Sequence, residues 1–269
     1  MYDLIIIGGG PGGYVSAERA GARGKSGLLI EEHHLGGICL NAGCIPTKTL
    51  LHSAKSYVAA LEGSRFGVMA ENVRFDLSAA LKWKDTAVTN LRKGIDSSMK
   101  RHGVEMLSGH AELVDRQTVR VGESEYQAHN ILLATGSEPA RPPIPGLDSD
   151  HVLTSRQLLE KQELPEHLVV IGGGYIGMEF ASLFSAVGVK VTVIEMMEEI
   201  IPFMDSDLAA TLRKSLSKVE FVLGASVESV DGATVTYRKD GAQQSVEADT
   251  ILLAVGRKPR TEGTGIEQI

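Results

Sequence analysis

The sequence predicts an α/β chain in which one strand–turn–helix–strand plan is used twice. Three observations carry this. The apolar run Asp3-Leu4-Ile5-Ile6-Ile7 ends in Gly8-Gly9-Gly10-Pro11-Gly12-Gly13, and Leu168-Val169-Val170-Ile171 ends in Gly172-Gly173-Gly174-Tyr175-Ile176-Gly177. Each glycine turn leads into a stretch suited to a helix and then into a second apolar strand closed by an acid, Glu31 in one copy and Glu195 in the other. Later, Ile131-Leu132-Leu133-Ala134-Thr135-Gly136 is echoed by Ile251-Leu252-Leu253-Ala254-Val255-Gly256. Short apolar runs bounded by glycine read as strands buried in a sheet. Their recurrence reads as an internal duplication.

The totals fit two domains. A chain of 269 residues with 43% hydrophobic and 23% charged residues is ordinary globular composition and long enough for two cores. A net charge of −7 gives no basic footprint for nucleic acid or an anionic membrane. Met1-Tyr2-Asp3 runs straight into the first strand, so neither a signal peptide nor a membrane span is expected, and the expected location is the cytoplasm.

The elements follow in order. A strand at 3–7, a helix from Tyr14 to Ala22 and a strand at 27–31 open the chain. Helical spacing covers 47–63 and 77–102, where Leu77, Leu81, Val88, Leu91, Ile95 and Met99 should form one buried face. Lys82, Lys84, Arg92, Lys93 and Lys100 read as solvated faces, and Trp83 as a packing residue. Strands are expected at 104–107, 111–121 and 130–134. The segment 139–146 holds four of the nine prolines, which suits a linker and not a helix or inner strand. The second copy then supplies a strand at 168–171, a helix through Val187, a strand at 190–194 and a closing strand at 250–256. The expected division is 1–140, 141–260 and a return segment at 261–269.

The glycine spacing carries chemistry. In Gly8-x-Gly10-x-x-Gly13, Gly8 permits the tight turn, Gly10 lets the backbone approach a pyrophosphate, and Gly13 allows close helix–strand packing. The helix start offers free N–H groups and a positive dipole end. Glu31, eighteen residues after Gly13, can accept from ribose hydroxyls. Gly172, Gly174, Gly177 and Glu195 repeat the set, and a carboxylate at 195 would repel a 2′-phosphate, favouring NAD over NADP. The expected fold is therefore two Rossmann-like, FAD/NAD(P)-binding domains, and the family likeness described below implies that the first is incomplete. Two dinucleotide sites point to a flavin with a nicotinamide cofactor.

The only two cysteines stand five positions apart in Gly36-Gly37-Ile38-Cys39-Leu40-Asn41-Ala42-Gly43-Cys44-Ile45-Pro46-Thr47-Lys48. A bridge closing so short a loop adds only about 2 kcal/mol of stability, so redox chemistry is the better reason for the pair. Lys48, four residues past Cys44, would favour a thiolate on a shared helix face. Two inert buried thiols, or half a zinc site completed by His33, His34 or His52, are the alternatives.

This stretch resembles the redox-disulfide motif of the pyridine nucleotide-disulfide oxidoreductases, and Leu40 and Ile45 suit the dihydrolipoamide dehydrogenase branch. The likeness continues through Ala134-Thr135-Gly136-Ser137-x-Pro139, the second glycine turn with Glu179, and Ala254-Val255-Gly256-Arg257-x-Pro259. It implies that Cys39 exchanges with dihydrolipoamide and that Cys44 faces FAD. It implies that Lys48 pairs with Glu179 near the flavin. It also implies cofactor contacts at Gly37, Ala111, Thr135, Gly136, Tyr175, Ile176, Val227 and Gly256, with no metal. The implied reaction is NAD-linked dihydrolipoyl dehydrogenation, on the lipoyl domain of a 2-oxoacid dehydrogenase or glycine cleavage complex. A disulfide or mercuric reductase and a non-catalytic nucleotide-binding remnant are the other readings.

The family pattern continues beyond Gly-Arg-x-Pro with a Gly-Asp strand and an interface domain that supplies a homodimer contact and an acid/base histidine. None of the eight histidines here holds that place, and Arg260 stands where asparagine is common. The expectation is that residues 141–260 fold alone, and that the chain binds NAD(H) better than it holds FAD.

Overall fold

The computed structural model describes residues 1–267 and 269, in two compact units. The first comprises Met1–Pro46, Asp85–Glu138 and Lys258–Ile269; the second comprises Thr47–Lys84 and Pro139–Arg257.

The chain opens with β1 (Tyr2–Ile7), α1 (Pro11–Gly21), β2 (Gly27–Glu31), α2 (Gly37–Ala42), α3 (Cys44–Glu62) and α4 (Leu77–Arg101). It continues through β3 (Glu105–Ser108), β4 (Ala111–Leu113), β5 (Thr118–Val121), β6 (Ser124–Leu133) and β7 (Ser137–Pro139). In the first unit the sheet order is β3-β2-β1-β6-β5-β4. β1, β2, β3 and the second half of β6 run parallel, whereas β4, β5 and the first half of β6 form an antiparallel meander. Alternation along the strands splits the core in two. Ile5, Ile7, Leu28 and Ile30 pack against Leu113 and Val119 of the meander. Ile6 and Leu29 face the other way, onto Ala17 of α1 and Met99 of α4.

The second unit adds β8 (Val152–Leu153), α5 (Ser155–Leu158), β9 (His167–Ile171), α6 (Tyr175–Ala186), β10 (Lys190–Ile194), α7 (Ser206–Ser215) and β11 (Val219–Val222). It closes with β12 (Ala225–Asp231), β13 (Thr234–Lys239), β14 (Ala242–Glu247) and β15 (Thr250–Leu253); β16 (Arg257–Pro259) starts at its last residue and continues into the final segment of the first unit. Its parallel sheet has the order β11-β10-β9-β15-β8, and β12-β13-β14 form a separate antiparallel sheet. Leu168, Val170, Val191 and Val193 face Phe180 and Phe184 of α6, with Leu50 and Leu81 in the same cluster. Val169, Ile171 and Ile194 face Val230, Val235 and Tyr237 of the meander. Helices on one face and a meander on the other repeat the layering of the first unit, so the duplication extends to architecture.

Several local expectations are corrected. Residues 111–121 are two strands around a turn. The helix expected at 47–63 begins at Cys44, where Pro46 sits in the first turn and its missing N–H is not needed. On α4, Leu81, Val88 and Met99 are buried as expected, but Leu91 and Trp83 are exposed, Trp83 at 57%. Arg92 is half-buried, and Lys84 is 2% exposed. The Lys84 ammonium donates to the Leu159 carbonyl at 3.1 Å and lies 3.2 Å from a Glu160 carboxylate oxygen. A lysine can enter an apolar cluster only with its charge so partnered. Among the described residues no helix is long and apolar enough to cross a membrane.

Lys84 should therefore behave as a core residue. Lys84→Ala leaves a void and an acceptor without this donor, and should lose roughly 2–4 kcal/mol in urea unfolding. Lys84→Met, which refills the volume, should lose about half as much. A Lys84→Ala protein as stable as the parent would contradict the buried placement.

Candidate functional site

Both glycine turns are built by the same contacts. Gly8 has φ 105° and Gly172 has φ 106°, a region open to glycine and closed to other residues. A Cβ on Gly8 would lie 2.2 Å from the Ala134 carbonyl oxygen, and one on Gly172 would lie 2.6 Å from that of Ala254. A Cβ on Gly13 or Gly177 would collide with the carbonyl oxygen of Gly8 or Gly172, at 1.7 and 2.1 Å. The Gly8 N–H donates to Ile30 and that of Gly172 to Ile194, which fixes each turn to its second strand.

The two acids do more than the sequence shows. Glu31 accepts the Gly9 N–H at 2.7 Å on one oxygen and the His33 N–H at 2.8 Å on the other. Glu195 accepts the Gly173 N–H at 2.5 Å and the Met197 N–H at 2.7 Å. Each carboxylate thus staples the middle of its glycine turn while retaining lone pairs for a ribose hydroxyl.

The residues present fit dinucleotides. The caps of α1 and α6, Gly10 and Gly174, have no side chain to cap the helix start, although in α1 Pro11 brings no N–H and that of Gly13 donates to the Gly10 carbonyl. A Cβ on Gly174 would meet nothing within 4 Å, which is the clearance a phosphate needs; one on Gly10 would meet only the Gly37 Cα, at 3.6 Å. Both features suit an anion at a helix start.

In the first unit a cavity is lined by Gly8, Glu31, Glu32, Ala111, Thr135 and Arg260, among others. Four of these are predicted site residues, brought together at the ribose end of the first turn. Glu32 and Arg260 escaped the sequence reading as site residues, although Arg260 already departs from the family's asparagine. The Arg260 guanidinium lies 3.0 Å from Glu32, and His110 lies 3.5 Å from it. Burial pushes the Glu32 carboxyl up, but Arg260, then His110 and His33, outweigh it and hold it below the usual range. The Thr135 hydroxyl donates to the Arg260 carbonyl at 2.6 Å. Gly136, φ 77°, follows and accepts the Arg260 N–H.

Cys39 on α2 and Cys44 at the start of α3 are joined in a disulfide in the same unit. Gly37, φ 57°, opens α2 against Gly10, where an added Cβ would come within 2.6 Å of the Gly10 Cα. The redox loop and the first glycine turn are therefore in backbone contact.

In the second unit Lys48 of α3 pairs with Glu179 of α6. Exposed pairs add little stability, so its consequence is placement of charge. Tyr175 stands at the first position of α6, 57% exposed, with Ile176 half-buried and Gly177 buried behind it. Gly256, φ 116°, follows β15. Val227 is half-buried at a bulge in β12, two residues past Ala225, whose N–H donates to the Glu195 carbonyl.

Comparison with known proteins agrees with these features. Residues 2–269 match the pyridine nucleotide-disulphide oxidoreductase family. The dihydrolipoyl dehydrogenase of Acholeplasma laidlawii is 41% identical over 97% of this chain and 80% of its own length. That of Geobacillus stearothermophilus is 40% identical over 99% of this chain, which spans 59% of the relative. The HOCl-induced flavoprotein disulfide reductase RclA from Escherichia coli superposes with a TM-score of 0.83 at 33% identity, over 99% of this chain and 59% of RclA. With two glycine turns, two strand-end acids and a disulfide in the loop that abuts the first turn through Gly37, the chain belongs to the pyridine nucleotide-disulphide oxidoreductase family.

Proposed function

We propose that the chain carries the dithiol and nucleotide-binding parts of a dihydrolipoyl dehydrogenase. The observation that supports this most directly is the Cys39–Cys44 disulfide, in a loop whose Gly37 abuts Gly10 of the first glycine turn. Members of the family use FAD and NAD(P). On this reading residues 1–140, with the return at 261–269, hold FAD, and residues 141–260 hold NAD. Flavin supplies a two-electron acceptor between the dithiol and the nicotinamide.

The work of the chain's own residues then follows. A dihydrolipoamide thiolate attacks the Cys39 sulfur, forming a mixed disulfide and releasing Cys44 as thiolate. The second substrate thiol attacks the substrate sulfur of that bond, leaving as lipoamide and freeing Cys39. Two electrons now reside on the Cys39/Cys44 pair, and the two substrate protons are released or held locally. Cys44 passes the electrons on, and Lys48 and Glu179 place opposite charges on α3 and α6. Gly174 and the start of α6 seat the nicotinamide pyrophosphate, Glu195 takes the adenosine ribose and excludes a 2′-phosphate, and Tyr175, Ile176, Val227 and Gly256 line the same site. Gly8, Gly10, Gly13, Glu31, Ala111, Thr135 and Gly136 do the corresponding work for FAD. The substrate is the lipoyl domain of a cytoplasmic 2-oxoacid dehydrogenase or glycine cleavage complex, met by a homodimer of the complete enzyme. Likeness to RclA favours, as a second reading, the same exchange run as disulfide reduction.

Thiol titration tests the redox reading. With FAD added, NADH should expose two thiols per chain while NADPH at equal concentration exposes far fewer. Unchanged thiols with both nucleotides bound would support a binding remnant instead.

The nucleotide site has its own test. Gly174→Ala should leave urea stability within about 1 kcal/mol of the parent yet weaken NADH binding by at least about tenfold, because the methyl occupies phosphate space. Gly177→Ala should instead destabilise the protein through its collision with the Gly172 carbonyl. Unimpaired NADH binding by Gly174→Ala would remove the phosphate assignment.

A further inference from the structure

α2 carries one of the two redox sulfurs and is only six residues long, far below the length at which a helix holds itself in water. Its start, Gly36, lies at φ 101° with no side-chain cap, and its end, Gly43, leaves the helical region. Something outside the helix must keep it formed. Leu40 is buried and supplies part of the answer.

Asn41 supplies the rest. Its amide nitrogen donates to the Leu35 carbonyl at 3.0 Å, tying the last turn of α2 to the loop before it, and to the Gly37 carbonyl at 2.9 Å, within α2 itself. Its amide oxygen accepts two bonds from one guanidinium, Arg92 Nε at 3.1 Å and Nη2 at 2.7 Å. Arginine has donors only, so it can meet only the oxygen end of the amide. Arg92 thereby fixes which way the amide points, and with it the bond to the Leu35 carbonyl of the loop and the bond to the Gly37 carbonyl at the helix start. It projects from α4, a helix of 25 residues anchored on either side of it by buried Val88 and Met99.

We infer that Arg92 is a positioning residue for the redox pair: through Asn41 it holds the Cys39 helix in place, so that the two sulfurs stay within closing distance once the bond between them is broken. The inference rests on the disulfide being cycled, as proposed above. When S–S is reduced that covalent restraint is lost; the start of α2 stays tied through the Gly36 N–H to the Gly9 carbonyl, and the last turn, which carries Asn41, is left to its side-chain contacts. A pair held in this way has a high effective concentration and recloses readily, expelling an attacking thiol. A loosened pair is easier for external thiols to reduce.

The test is equilibration of the whole chain with glutathione redox buffers, followed by thiol titration. It needs neither nucleotide, so its failure is distinguishable from failure of the NADH assay. Arg92→Ala should move the midpoint by about tenfold toward easier reduction. Arg92→Lys, which keeps the charge but cannot fork onto one oxygen, should fall between it and the parent. Asn41→Ala should match Arg92→Ala, and the double variant should shift no further than either, because both act through one link. Midpoints within twofold of the parent for both Arg92 variants would overturn the inference. So would single-variant shifts that add in the double variant. Should Arg92→Ala fail to fold, the lysine variant alone decides by the same twofold limit.

Discussion

Both nucleotide sites depend on a steric constraint: three stretches of backbone meet where no Cβ can stand. The end of the first strand, the start of the helix and the echo strand converge at Gly8, Gly13 and Ala134, and again at Gly172, Gly177 and Ala254. A side chain at any of these four glycines would put its Cβ 1.7–2.6 Å from a carbonyl oxygen, so the main chain itself would have to move. That closeness keeps the helix start free of a protein cap. The glycines do not bind anything themselves; they remove what would otherwise fill the space.

The strand-end acids complete the arrangement. Glu31 and Glu195 each reach back over twenty-two residues to the N–H at the middle of their turn. A glycine-rich loop would otherwise be entropically free, since glycine loses more backbone freedom on folding than any other residue. Hydrogen bonds to a charged acceptor are the stronger kind, and here they hold the loop in the shape a phosphate needs. One carboxylate thus joins the middle of its glycine turn to the loop after its own strand, through Gly9 and His33 in the first copy and Gly173 and Met197 in the second.

Much of this was legible in the sequence, because it is written in local patterns: glycine spacing, apolar runs and an acid at a strand end. What could not be read is side-chain partnership over long sequence distance. The apolar stripe on α4 shows this. Leu81, Val88 and Met99 are buried as their spacing predicts, but Lys84 fills the gap of seven between Leu81 and Val88, and Leu91 is exposed beside a half-buried Arg92. Charged residues in an apolar stripe look like solvated faces until their acceptors, Leu159 and Asn41, are brought beside them by the fold. The Glu32–Arg260 pair spans 228 residues and was hidden for the same reason.

The two copies also show how one plan was turned to two purposes. After its acid, each chain segment returns to donate an N–H to the carbonyl of the middle glycine: Gly36 to Gly9 in the first copy, Ile201 to Gly173 in the second. Both donors lie at positive φ, 101° and 47°. For a β-branched residue such as Ile201 that backbone is an outlier costing on the order of 1–3 kcal/mol, tolerated because its side chain is buried. Glycine at 36 has no such cost, and a Cβ there would lie 2.7 Å from the Leu40 side chain. The backbone contact that brings the cysteine loop against the first turn requires glycine at 37 as well, because a Cβ there would come within 2.6 Å of the Gly10 Cα.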